Sequence, residues 1–71
     1  MEMKDALKRC RKYRGITQKQ AAVAAGITET MYQFYEYGRS EPTAHILIAL
    51  ADFYDVSLDY LCGRSDSPER R

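Results

Sequence analysis

The sequence predicts an all-α fold, a compact bundle of five short helices. Three observations carry that expectation. Apolar residues recur at helical spacing in five separate windows. Capping or chain-reversing residues bound each window, including Gly15, Thr17, Gly26, Thr28, Gly38, Thr43, Ser57 and Gly63. No window alternates apolar and polar residues with the period of two that a half-buried strand needs, and there is no repeat or low-complexity tract.

The first helix runs from about Met3 to Arg14, with Met3, Leu7 and Cys10 on one face and basic residues on the other; Gly15 ends it. Thr17 caps the second, about Gln18 to Ala25, whose inner Ala21, Ala22 and Ala25 are small enough for another helix to cross closely. Gly26 supplies the positive φ at which that helix stops, and Ile27 plugs the corner. Thr28 caps the third helix, about Glu29 to Tyr37, where Tyr32 and Tyr35 recur at core spacing and Gly38 is the stop. Arg39-Ser40-Glu41-Pro42 reads as a loop, because proline disfavours helix in the residue before it.

Thr43 opens the fourth and most apolar helix, Ala44 to Tyr54, with Ile46, Leu47, Leu50, Ala51 and Tyr54 on a wide stripe that forms the back of the core. Asp55 is a tolerable left-handed cap, and Val56 re-enters the core. Ser57 caps a short last helix, Leu58 to Cys62, closed by Gly63. Residues 65 to 71, SDSPERR, offer nothing to bury, so the expected domain is 1–64 with 65–71 as a disordered tail.

Seventy-one residues make one domain, with a core that is marginal unless packing is efficient or chains pair. Cys10 and Cys62 form no CxxC motif and have no neighbouring histidine, which points to reduced packing residues in a cytoplasmic protein. No apolar run is long enough to span a bilayer, and no signal-like segment opens the chain. His45 stands alone, without partners at ligand spacing, and the serines and cysteines have no general base nearby. The expectation is therefore no enzyme, no metal and no cofactor.

The net charge is only +1, but it is unevenly spread. Residues 1–40 carry eight Lys or Arg against four acids, and residues 41–71 carry three against six. The basic half contains the second and third helices. Lys8, Arg9 and Lys12 fit either a solvated helix face or a phosphate footprint.

Helices two and three, meeting at Ala25-Gly26-Ile27, have the outline of a helix-turn-helix. In that geometry the outward face of the second member, here Glu29, Thr30, Gln33, Phe34 and Tyr37, lies in the major groove of double-stranded DNA. The landmarks continue along the chain: Leu7, Arg11 and Gly15-Ile16-Thr17-Gln18, then Ala22 and Gly26, Glu36-Tyr37-Gly38, Glu41-Pro42 and Val56-Ser57-Leu58-Asp59-Tyr60-Leu61. In this order and spacing the chain resembles the Cro/phage-repressor-like, or XRE, helix-turn-helix family over nearly all of residues 5–64. The resemblance implies a five-helix bundle of the phage-repressor DNA-binding-domain type that binds operator DNA as a homodimer. The simplest role is that of a repressor, a small regulator without a sensor or catalytic domain.

The resemblance also assigns residues. Gln18 matches a position that bonds a DNA phosphate, with Lys19, Tyr37 and Arg39 as further phosphate candidates. Thr28, Glu29, Thr30 and Gln33 match the base-reading set, and Phe34, on the same outward face, is a further candidate for it. Gln33 leads it, because one amide can accept and donate together, as adenine N6 and N7 require. Arg11 and Glu36 match a structural ion pair between helices one and three. Leu58, Tyr60 and Leu61 match the dimer region, although the same residues are equally suited to closing the monomer core.

Departures from the family pattern leave a second role open. Glu29 stands where many relatives have a cation or a small polar residue; it suits the positive helix N-terminus or a cytosine N4. Phe34 and Tyr37 are suited to thymine methyls and sugars, to the core, or to a protein interface. The alternative is thus a protein-binding module of antitoxin or anti-repressor type on the same scaffold.

Overall fold

The computed structural model describes residues 1–69. Five helices follow in order: α1 (Met3–Arg14), α2 (Gln18–Ala25), α3 (Glu29–Tyr37), α4 (Ala44–Tyr54) and α5 (Leu58–Leu61). Their starts are set by side chains. Thr17, Thr28, Thr43 and Ser57 each take extended backbone angles and accept a hydrogen bond from the amide three residues on. At α2 the cap is reciprocal: Gln20 N–H donates to Thr17 Oγ1 at 3.1 Å, and Thr17 N–H donates to Gln20 Oε1 at 2.9 Å. Only α1 begins without a side-chain cap.

The helix ends follow the expected residues as well. Asp55 adopts the left-handed conformation at φ 57°, the single non-glycine among the described residues to do so. The last helix is one residue shorter than predicted. Its final hydrogen-bonded turn closes on Cys62, which keeps helical angles as a cap, and Gly63 reverses the chain at φ 83°.

The core gathers Leu7, Ala21, Ala22, Tyr32, Tyr35, Leu50, Ala51, Tyr54, Val56, Tyr60 and Leu61, with Met3, Ile16, Ala25, Ile27, Ile46 and Phe53 packed around it. Ala21 and Ala22 lose all or nearly all solvent contact, which lets α2 lie close against α3 and α4. Across the middle, the hydroxyls of Tyr32 and Tyr54 meet at 2.5 Å, tying α3 to α4. Both phenols are buried and hydrogen-bonded, and burial pushes both up; Tyr54 reaches about 12.

The segment predicted to fray is laid back along the domain as far as it is described. Ser57 N–H donates to Pro68 O at 3.0 Å and Ser65 N–H to Asp59 O at 3.2 Å. The chain therefore supplies backbone partners where its side chains have nothing to bury. Arg70 and Arg71, also in the predicted tail, lie outside the described residues.

Candidate nucleic-acid interface

The turn that aims α3 outward comes from a few backbone bonds. Gly26 sits at φ 72°, and the next amide, Ile27 N–H, donates to Ala22 O at 3.0 Å, so α2 is closed while the chain reverses. Thr28 Oγ1 then accepts from Met31 N–H at 3.2 Å and starts α3. With Tyr32, Tyr35 and Glu36 buried, the opposite face is left outward: Glu29, Thr30 and Tyr37 are exposed, while Gln33 and Phe34 are half-buried. Phe34 thus presents only part of its side chain to the outward face. Met31, 39% exposed, lies beside this set and was not expected there, since helical spacing alone gave it no role.

The N-terminus of α2 comes up next to α3. Gln18 is half-buried and Lys19 exposed. The capping box engages the amides of Thr17 and Gln20, so the N–H groups of Gln18 and Lys19 have no partner inside the helix. They form the donor end of the helix dipole, suited to an anion.

Beneath both elements lies a continuous polar chain. Arg11 grips Glu36 with both arms, Nε to Oε2 at 2.7 Å and Nη2 to Oε1 at 3.1 Å, and its Nη1 donates to Ile16 O at 3.1 Å. Gln18 Nε2 donates to Glu36 Oε1 at 3.2 Å, and Gln33 Nε2 donates to Gln18 Oε1, also at 3.2 Å. Glu36 is 1% exposed. Burial pushes its carboxyl up, but the hydrogen bonds from Arg11, Tyr32 and Gln18 prevail and hold it below the usual carboxylate range. The bond to Glu36 in turn raises Arg11. The pair expected between helices one and three is therefore formed, and it is the root of a network that reaches the outward face.

Two cations flank α3 at its far end. Arg39 is exposed, and its backbone N–H donates to Phe34 O at 2.9 Å. Lys4, unpredicted in any site, crosses Gly38 so closely that a Cβ there would meet Lys4 Cδ at 3.0 Å. Its ammonium is thereby carried to the α3–α4 loop, 3.6 Å from Glu2. Nothing in the sequence spacing joins residue 4 to residue 38.

One set of expected residues is redirected. Tyr60 and Leu61, matched to the dimer region, are 4% and 0% exposed and belong to the monomer core, because the single turn of α5 packs them against α1 and α4. Leu58 is 40% exposed, and Ile48 on α4, 47% exposed, lines the same shallow groove. His45 is exposed. Among the described residues no three His, Cys, Asp or Glu side chains come together to hold a metal, and no helix is long and apolar enough to cross a membrane.

The family model described as helix-turn-helix matches residues 7–61, which spans α1 to the end of α5. The chain belongs to this family, in its XRE-type branch. Among relatives, it is 47% identical over 55 residues to YqaE, an HTH-type transcriptional regulator of Bacillus subtilis strain 168, covering 78% of this chain and 47% of that protein. It is 39% identical over 71 residues to the cryptic phage CTXphi transcriptional repressor RstR of Vibrio cholerae, covering all of this chain and 63% of RstR. The chain thus spans about half to under two thirds of the length of these relatives. As a helix-turn-helix domain it superposes on the phage P22 c2 repressor, solved in complex with synthetic operator 9T. The TM-score is 0.86 and the identity 25%, over 92% of this chain and 98% of that one.

Proposed function

We propose that this chain is a sequence-specific double-stranded-DNA-binding transcriptional repressor that inserts α3 into the major groove. The observation that carries this is the polar chain from Arg11 to Gln33, which holds a glutamine amide on the outward face of a helix that the fold leaves uncovered. The likeness to RstR, named a repressor, and to the operator-bound P22 protein supports it.

Gln33 reads adenine, with Thr28, Glu29, Thr30 and Phe34 completing the base-reading set. Gln18, Lys19, Tyr37 and Arg39 fix the register on phosphates, and Lys4 joins them at the end of α3. Gln18 is not disqualified by its internal bonds, because its Nε2 carries two hydrogens and gives one to Glu36. Two copies pair through Leu58 and Ile48, which places their α3 helices in successive major grooves about 34–36 Å apart. Sedimentation that stays monomeric at high micromolar concentration, with and without operator, contradicts the pairing.

Selection from a pool of random duplexes at two salt concentrations tests the function. Enrichment of a symmetric site, with affinity falling steeply as salt rises, is expected. Absence of enrichment and of salt-dependent binding assigns exposed Tyr37 and Met31 to a protein interface instead.

A further inference from the structure

We propose that Glu36, besides bracing the domain with Arg11, sets the polarity of the base-reading edge of Gln33 through Gln18, so that a buried ion pair is a determinant of sequence specificity. The inference rests on the base-reading role of Gln33 proposed above.

The argument is one of donors and acceptors. An ionised carboxylate can only accept. Glu36 is ionised, since both its oxygens take N–H groups from Arg11. The Gln18 atom 3.2 Å from Glu36 Oε1 must then be the amide nitrogen. A planar amide with its nitrogen committed to one side turns its oxygen to the other, and that oxygen lies 3.2 Å from Gln33. An amide oxygen also only accepts, so Gln33 must face it with Nε2. Each step removes one of two possibilities, and the choice at Glu36 propagates to the surface.

Gln33 is left with its Oε1 and the second N–H of Nε2, an acceptor beside a donor in a fixed order. A free glutamine offers either order, because a half-turn about its last bond exchanges oxygen and nitrogen at little cost. Adenine presents N7 and N6–H in one order along the groove, so a given seat of α3 matches one amide polarity only. Reversing Gln33 here would set oxygen against oxygen at Gln18, and reversing Gln18 would do so at Glu36. With Glu36 1% exposed and both glutamines half-buried, water is poorly placed to relieve either clash. The polarity that would bind the wrong edge is thereby excluded before DNA arrives.

The test is the base preference at every position of the selected site, measured for wild type, Gln33→Ala, Glu36→Gln and Gln18→Met. A neutral amide at position 36 can offer Gln18 either arm, and Gln18→Met severs the chain while leaving the Arg11–Glu36 pair intact. Because Glu36→Gln weakens the ion pair, the double variant Arg11→Met/Glu36→Gln, which strands no charge, is measured beside it. All four variants are expected to relax the same base pair, adenine preference there falling about tenfold, while the other positions stay sharp. A purely structural role lowers affinity for every sequence alike and leaves the profile unchanged, which overturns the proposal. If Gln33→Ala relaxes a base pair that the Glu36 and Gln18 variants leave sharp, the polarity lock fails and base reading by Gln33 stands. If Gln33→Ala changes no position, both fail.

Discussion

Replacing Arg11 by Met should cost the domain a large part of its stability, and the structure gives the scale. Glu36 is 1% exposed and takes two N–H groups from Arg11, at 2.7 and 3.1 Å, against one from Gln18. Removing Arg11 leaves a buried carboxylate with its charge uncompensated, a loss of roughly 3–5 kcal/mol. A domain of this length has a total stability of about 4–11 kcal/mol. With a urea slope near 1 kcal/mol/M for a small protein, the midpoint should fall by about 3–5 M or the variant should not fold. Urea titration followed by far-UV circular dichroism measures it, and Arg11→Met/Glu36→Gln should recover at least half of the loss. A cost under about 1 kcal/mol for Arg11→Met, the range of exposed pairs, would refute the reasoning. The pH dependence has a definite sign. The folded carboxyl lies below the roughly 4.3 of an unfolded glutamate. Its contribution is therefore complete above that pH and is lost as pH falls through the folded value. In the double variant this part of the acid sensitivity should vanish.

Other perturbations separate packing from contact. Gly63→Ala should destabilise more than Gly15→Ala by thermal melting. Both positions have positive φ, but a Cβ at 63 overlaps the Met1 carbonyl oxygen whereas none lies within 4 Å at 15; equal losses would count against that closure. Tyr32→Phe should cost about 1–3 kcal/mol by leaving the buried Tyr54 hydroxyl without its partner, and Tyr32→Phe/Tyr54→Phe should cost less than the sum of the singles. Additive losses would show that the two hydroxyls are not coupled. Lys19→Ala should weaken binding to all duplexes alike and lower the salt slope by about 1; a change in base preference would move Lys19 into the reading set.

The helices were legible because nearly every boundary is local chemistry. Threonine or serine stands at four starts, and glycine or Asp55 at the ends, each acting within a few residues of itself. Most buried positions followed from spacing for the same reason, Ala21 and Ala22 of α2 among them, although Ala6 was not named and Ala25 is only half-buried. What the spacing did not contain is any contact that depends on how two side chains rotate toward each other. The Gln18–Gln33 bond, the Tyr32–Tyr54 bond and the passage of Lys4 over Gly38 join residues placed near one another only by the tertiary fold. The Arg11–Glu36 pair was expected from family resemblance, not from spacing. Tyr60 and Leu61 show the converse limit, since a resemblance places residues in a region but not on its inner or outer side. For residues 65–69 the sequence reading used side-chain burial alone, whereas the hydrogen bonds there are made by backbone groups, Ser57 N–H to Pro68 O and Ser65 N–H to Asp59 O.

The most direct measurement is the perturbation of amide resonances when an isotopically labelled chain is titrated with the selected duplex. The largest shifts are expected at the backbones of Thr28, Glu29 and Thr30 and at the side-chain amide of Gln33, with Gln18 and Lys19 following at the start of α2. Shifts confined to α4 and α5, around Ile48 and Leu58, with the Gln33 amide unmoved, would contradict insertion of α3 into the groove.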